Sequence, residues 1–97
     1  MTWESKKNKR LIQAILALEH KKEAACFLRD LMTENEIIIF AKRLQTAEML
    51  TQKIPYTAIR TETGLSSTTI ARVAKWLNGK WGGYRVVIKK LQHYGSI

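Results

Sequence analysis

Ile54-Pro55-Tyr56-Thr57-Ala58-Ile59-Arg60-Thr61-Glu62-Thr63-Gly64-Leu65-Ser66-Ser67-Thr68-Thr69-Ile70-Ala71-Arg72-Val73-Ala74-Lys75-Trp76-Leu77 holds the punctuation that decides the fold. Pro55 suits a first helical turn, where its missing N–H would have had no partner. Gly64 supplies the left-handed conformation that ends a short helix, and Ser66 can cap the next helix at its N-terminus, so the turn between them takes about three residues. Two short helices are thereby set at a steep angle. Ile59 on the first, Leu65 in the turn, and Ile70 and Val73 on the second are spaced to meet inside it, and Tyr56–Leu77 is expected to form a helix-turn-helix.

The second of these helices presents Ser66, Ser67, Thr68 and Thr69 at its N-terminal end, with Arg72 one turn on. Short hydroxyl side chains there can reach base edges and phosphates, and a helix N-terminus itself favours a phosphate. Thr57 and Arg60 on the first helix, together with Lys75 and Lys80, are candidates for phosphate contacts, which position a protein on a duplex without reading sequence. One departure from the usual pattern is Arg60. Counted from Tyr56 it is the fifth position of the motif, where a small residue is customary, and its long basic side chain is expected to turn outward.

Working outward from the motif, the glycines fall at 64, 79, 82, 83 and 95, and the first 54 residues contain neither glycine nor proline. An all-α chain of about six helices follows. Leu11–Leu18 and Lys22–Leu31 read as helices, the first apolar over more than half of its circumference. Thr33-Glu34-Asn35-Glu36 has the form of a capping box and opens a third helix, with a core stripe of Ile37, Phe40, Ala41, Leu44, Ala47 and Leu50. Ile38, Ile39 and Met49 lie off that stripe and need cover too. Two helices apolar nearly all round, in a chain of 97 residues, favour a homodimer, because a chain of this length cannot build a large core alone. The organisation expected is one domain: dimerisation helices over 1–53, the helix-turn-helix over 54–78, and a last helix over 83–93. In that last helix Val87, Ile88 and Leu91 are expected to pack and Arg85, Lys89 and Lys90 to face out, with Trp81 and Tyr84 anchoring it beside the Gly82-Gly83 turn.

The charge balance points the same way as the motif. There are 17 Lys+Arg against 8 Asp+Glu, a net charge of +9, and after Glu62 six basic residues follow with no acidic one. Nucleic acid is the first candidate for a partner of such a chain. Cys26 is the only cysteine; it lies in the apolar run Ala24–Leu28, where burial is expected, and a reducing cytoplasm fits. No apolar run approaches the ~18 residues of a membrane span, and no secretory leader is expected. His20 and His93 have no companions at ligand spacing, so no metal site is expected, and no phosphate loop, nucleophile elbow or HExxH motif suggests an enzyme.

Four segments together resemble a known family. They are Leu31–Glu36, Ala41–Leu44, Tyr56–Val73, and Leu77-Asn78-Gly79-Lys80-Trp81-Gly82-Gly83-Tyr84, and their pattern is similar to the tryptophan-repressor superfamily, in particular its YerC/YecD-type branch. The resemblance spans about residues 25–91. It implies a six-helix, intertwined homodimer with one reading head per subunit, acting as a sequence-specific transcriptional regulator on double-stranded DNA, in the sense of a repressor. In the tryptophan repressor a threonine and two arginines frame the corepressor, and the matching positions are Thr33, Arg43 and Arg72. The family then places a glycine after the second arginine and a small residue three further on, leaving room for an indole. This chain has Val73 and Trp76 there. Both add bulk where a ligand would sit, which argues against tryptophan as a corepressor and leaves Trp76 to fill the space and Arg43 and Arg72 to serve as phosphate contacts or helix-capping cations. Two alternatives stay open at this level: a protein-interaction module built on the same motif, and an amino-acid-gated repressor.

Overall fold

The computed structural model describes residues 1–94, and among them six helices and no strands. They are α1 (Lys6–Leu16), α2 (Lys21–Leu31), α3 (Glu34–Thr51), α4 (Tyr56–Thr63), α5 (Ser67–Leu77) and α6 (Gly83–Tyr94). The all-α expectation therefore holds. The chain divides into two compact units, Met1–Ile37 and Ile38–Ile97, with the division inside α3.

In the first unit, local capping sets where helices begin. Ser5 accepts from the Asn8 N–H at 3.1 Å and starts α1 at Lys6, several residues before the apolar run begins. Glu23, in the first turn of α2, accepts from the Glu19 N–H at 2.9 Å. At the start of α3 the capping box forms in both directions: the Glu36 carboxylate accepts from the Thr33 N–H at 2.9 Å, and the Thr33 hydroxyl accepts from the Glu36 N–H at 3.1 Å. Hydrogen bonding to the carboxylate by Thr33, from its backbone N–H first and its hydroxyl second, holds the Glu36 carboxyl below the usual range. Neither α1 nor α2 contains a buried residue. Leu11, Ile12, Ile15, Leu16, Leu28 and Leu31 are all exposed, and so is Cys26, against the expectation of a buried thiol. An apolar run predicts burial only where a second surface covers it, and no element of Met1–Ile37 covers Cys26.

The second unit holds the packed core. Ala47 of α3, Val73 and Leu77 of α5 and Ile88 of α6 form a buried cluster, with Leu44, Leu50 and Tyr84 packed against it. Only the C-terminal half of the α3 stripe is thus used: Leu44, Ala47 and Leu50 pack, whereas Phe40 and Ala41 are exposed, as are Ile38 and Ile39. Two hydroxyls on α3 bond back along the helix, Thr46 to the Lys42 carbonyl at 2.8 Å and Thr51 to the Ala47 carbonyl at 2.9 Å. The helix ends on a left-handed residue that is not glycine, Lys53, at φ 65°.

α6 begins at Gly83, and of its expected packing residues Ile88 alone is buried while Val87 and Leu91 are exposed. Trp81 does not anchor it, being 78% exposed with the Lys80 ammonium 5.8 Å above its ring. The anchor is instead Arg85, which donates to the Leu77 carbonyl and ties α6 to the end of α5, with the half-buried Tyr84 against the core. Arg85 reads as a surface cation in sequence, and nothing in its neighbours marks the bond.

Candidate nucleic-acid interface

Pro55 stands as the N-cap of α4, one position before the first helical residue, with φ −67° and ψ 153°. Gly64 closes α4 in the left-handed region at φ 73°, its N–H donating to the Arg60 carbonyl at 2.9 Å. An L side chain adopts that conformation at a cost of about 1–2 kcal/mol, which is why the turn carries glycine. Thr63, buried beside it, locks the corner: its hydroxyl donates to the Ile59 carbonyl at 2.8 Å and accepts from the Leu65 N–H at 3.1 Å. Sequence reasoning missed Thr63, whose only signal is a hydroxyl residue directly before the turn glycine.

Ser66 caps α5, accepting from the Thr69 N–H at 3.2 Å. The turn is therefore Gly64-Leu65-Ser66, three residues between α4 and α5. Ile59, Ile70 and Val73 are fully buried and Leu65 is half-buried, so the four residues expected inside the angle lie there. With its core closed, this part of the chain presents a surface rather than a cavity. Thr57, Arg60, Ser66, Ser67, Thr68, Arg72, Lys75 and Lys80 are all exposed. Arg60 turns outward, as its length allows. Thr69 is half-buried, and its hydroxyl accepts from the Ser66 hydroxyl at 3.1 Å. Thr57, Arg60, Thr61, Gly64, Leu65 and Ser66 line an open depression of about 510 Å³ on the turn side of the motif.

No ion pair among the described residues neutralises the positive charge here. Among the described residues the ion pairs are Lys9–Glu4 at 3.2 Å and Glu19–His20 at 4.0 Å, and neither involves Arg60, Arg72, Lys75 or Lys80. A helix N-terminus adds a fixed partial positive charge where the hydroxyls of Ser66–Thr69 stand. Together they form an electropositive, hydrogen-bonding surface suited to a phosphate backbone and the base edges beside it.

The residues that the family resemblance assigned to a ligand are placed differently from one another. Thr33 is engaged in the capping box of α3. Arg72 is exposed on α5. Arg43 is half-buried on α3, its guanidinium 5.4 Å from the Phe40 ring centre and 5.5 Å from that of Trp76, and its Nε is buried without a hydrogen-bond partner. Val73 is fully enclosed in the core, so its bulk serves packing. Trp76 is 44% exposed and forms part of the wall of an open apolar cleft of about 680 Å³, with Leu44, Tyr84 and Val87 among the other linings. Burial pushes the Tyr84 phenol up, with the positive charge of Arg43 opposing. Among the described residues no cluster of His, Cys, Asp and Glu is placed to hold a metal, and no helix is long and apolar enough to cross a membrane.

Comparison with known proteins gives a consistent result. A family model described as Trp repressor protein matches residues 6–92. The chain is 39% identical over 82 residues to YerC of Bacillus subtilis, a protein whose function is uncharacterised, covering 84% of this chain and 79% of that one. A solved TrpR-like protein from Eubacterium eligens superposes with a TM-score of 0.87 at 37% identity, covering 93% of both chains. A structure from Staphylococcus aureus, described provisionally as a Trp repressor, superposes with a TM-score of 0.86 at 35% identity over 95% of both. With the helix-turn-helix geometry in place and the match running through almost all of its length, the chain belongs to the Trp repressor family.

Proposed function

We propose that this protein is a dimeric, sequence-specific regulator of transcription that binds double-stranded DNA, acts as a repressor in the cytoplasm and needs no tryptophan corepressor. The observation that carries the reading is the surface of the helix-turn-helix. α5 offers Ser66, Ser67, Thr68 and Arg72 to solvent at its N-terminal half, flanked by Thr57, Arg60, Lys75 and Lys80, with no acidic side chain pairing any of the basic ones among the described residues. Thr69 supports the same end of the helix from its half-buried position.

In this reading α5 is the helix that enters a major groove. Thr68 and Arg72, one turn apart on the same face, would reach base edges, while the flanking cations contact phosphates. Support for the dimer comes from the uncovered apolar residues: α1 and α2 bury nothing, and Ile38, Ile39 and Phe40 of α3 remain exposed. Two copies would place two reading helices on successive grooves, with half-sites about one helical turn (~34 Å) apart. Trp76, with the Arg43 guanidinium 5.5 Å from its ring, stands where the family resemblance expects a small residue beside the ligand, and this supports a reading head shaped without tryptophan.

Replacing Thr68 and Arg72 by alanine tests the reading. The expected result is loss of duplex binding with the dimer mass unchanged. Unchanged duplex binding would remove both residues from the interface and leave the protein-interaction alternative in its place.

A further inference from the structure

We propose that Trp76 is a positioning residue for the reading head, its indole bracing α5 against α3 through the Arg43 guanidinium. The inference rests on the DNA-binding reading above and adds a determinant of specificity that touches no DNA. Trp76 lies one turn beyond Arg72 on the same face of α5, so whatever fixes the indole also fixes the direction in which Arg72 leaves the helix. The core does not need this ring. Ile70, Val73 and Leu77 bury the inner face of α5, and Trp76 is 44% exposed beside them.

The ring is nevertheless held. The Arg43 guanidinium lies 5.5 Å from its centre and 5.4 Å from that of Phe40, within the range of a cation–π contact in both cases. The Arg43 Nε is buried with no hydrogen-bond partner. A desolvated donor of this kind is costly, and with no bond to satisfy it the aromatic faces are what hold the guanidinium in place. α5 also packs on α3 through the buried cluster of Ala47, Val73 and Leu77, against which Leu44 and Leu50 of α3 lie. The stack at Arg43, one turn before Ala47 on α3, adds an attachment outside that cluster, at the indole that the cluster leaves exposed.

The test uses the full chain and a duplex selected by the wild-type protein from random DNA, with a scrambled duplex as control. If the wild type selects no duplex, the DNA-binding reading fails at that step, before any variant is compared. Where it does select one, Trp76→Leu keeps apolar bulk without a π face and is expected to weaken binding of the selected duplex by about five- to thirtyfold, the factor one lost cation–π contact can supply. Binding of the scrambled duplex stays unchanged, because no charge on α5 has been altered. Trp76→Phe restores the selected duplex to within about threefold, and adding Arg43→Met to Trp76→Leu costs little more, because both remove the same contact. Equal binding of the selected duplex by the Leu and Phe variants overturns the proposal. So do an equal loss on both duplexes, and a Trp76→Leu chain that unfolds or changes its dimer mass, which would make the ring an element of folding or assembly.

Discussion

Replacing Gly64 by alanine separates backbone conformation from every other role the turn could have. The glycine sits at φ 73°, and a Cβ built there meets nothing closer than the Lys42 ammonium nitrogen at 4.0 Å. No steric penalty arises, so the effect is conformational alone. Holding an L residue in the left-handed region costs about 1–2 kcal/mol. Against this, alanine restricts the unfolded chain and returns about 0.4–1 kcal/mol. The difference is a net destabilisation of about 1 kcal/mol, a fall in melting temperature of roughly 4–8 °C for a domain of this size. Urea and thermal melts at matched protomer concentration measure it, since a dimer's stability depends on concentration. Gly64→Asn should lose less, because asparagine tolerates this region. A Gly64→Ala chain as stable as the wild type would refute the reasoning, because it would mean the turn does not require the conformation that sets the angle between α4 and α5.

The opposite sign is expected at the end of α3, where Lys53 holds φ 65°: Lys53→Gly should stabilise by about 0.5–1 kcal/mol in the same melts, and a loss would show that its side chain contributes more than its backbone costs. Ile70→Ala empties the fully buried wedge between α4 and α5 and should cost about 2–5 kcal/mol by urea denaturation, a cost under 1 kcal/mol indicating a site that collapses freely. Glu36 should titrate below an ordinary glutamate when followed by NMR, since its carboxylate accepts from Thr33. With the folded value depressed, its contribution to stability is present above the unfolded value and lost as pH falls through the folded one; a Glu36 that titrates at or above the ordinary value would contradict the capping box.

Features fixed by near neighbours were legible in the sequence. The Thr33–Glu36 box, the left-handed Gly64 and the Ser66 cap each depend on residues within four positions, and all three stand where the spacing put them. The four residues of the helix-turn-helix core were legible for the same reason, because the three-residue turn leaves α4 and α5 little choice of partner. Burial elsewhere was less legible. Cys26 and Trp81 are exposed because an apolar or aromatic side chain is buried only when another surface arrives, and periodicity cannot say which surface that is. The contacts of Arg43 and Arg85 were invisible for a related reason. A long cation can equally reach water, a carbonyl or a ring, and the tertiary position of Trp76 and Leu77 decides which.

The central claim is that two copies of this chain read a specific duplex through α5. Selection from a pool of randomised double-stranded DNA with the purified protein, without added small molecules, tests it most directly. The account predicts enrichment of a pseudo-palindrome with half-sites about one helical turn apart, bound with a steep salt dependence. Tight binding that leaves the pool without any enriched sequence would contradict it.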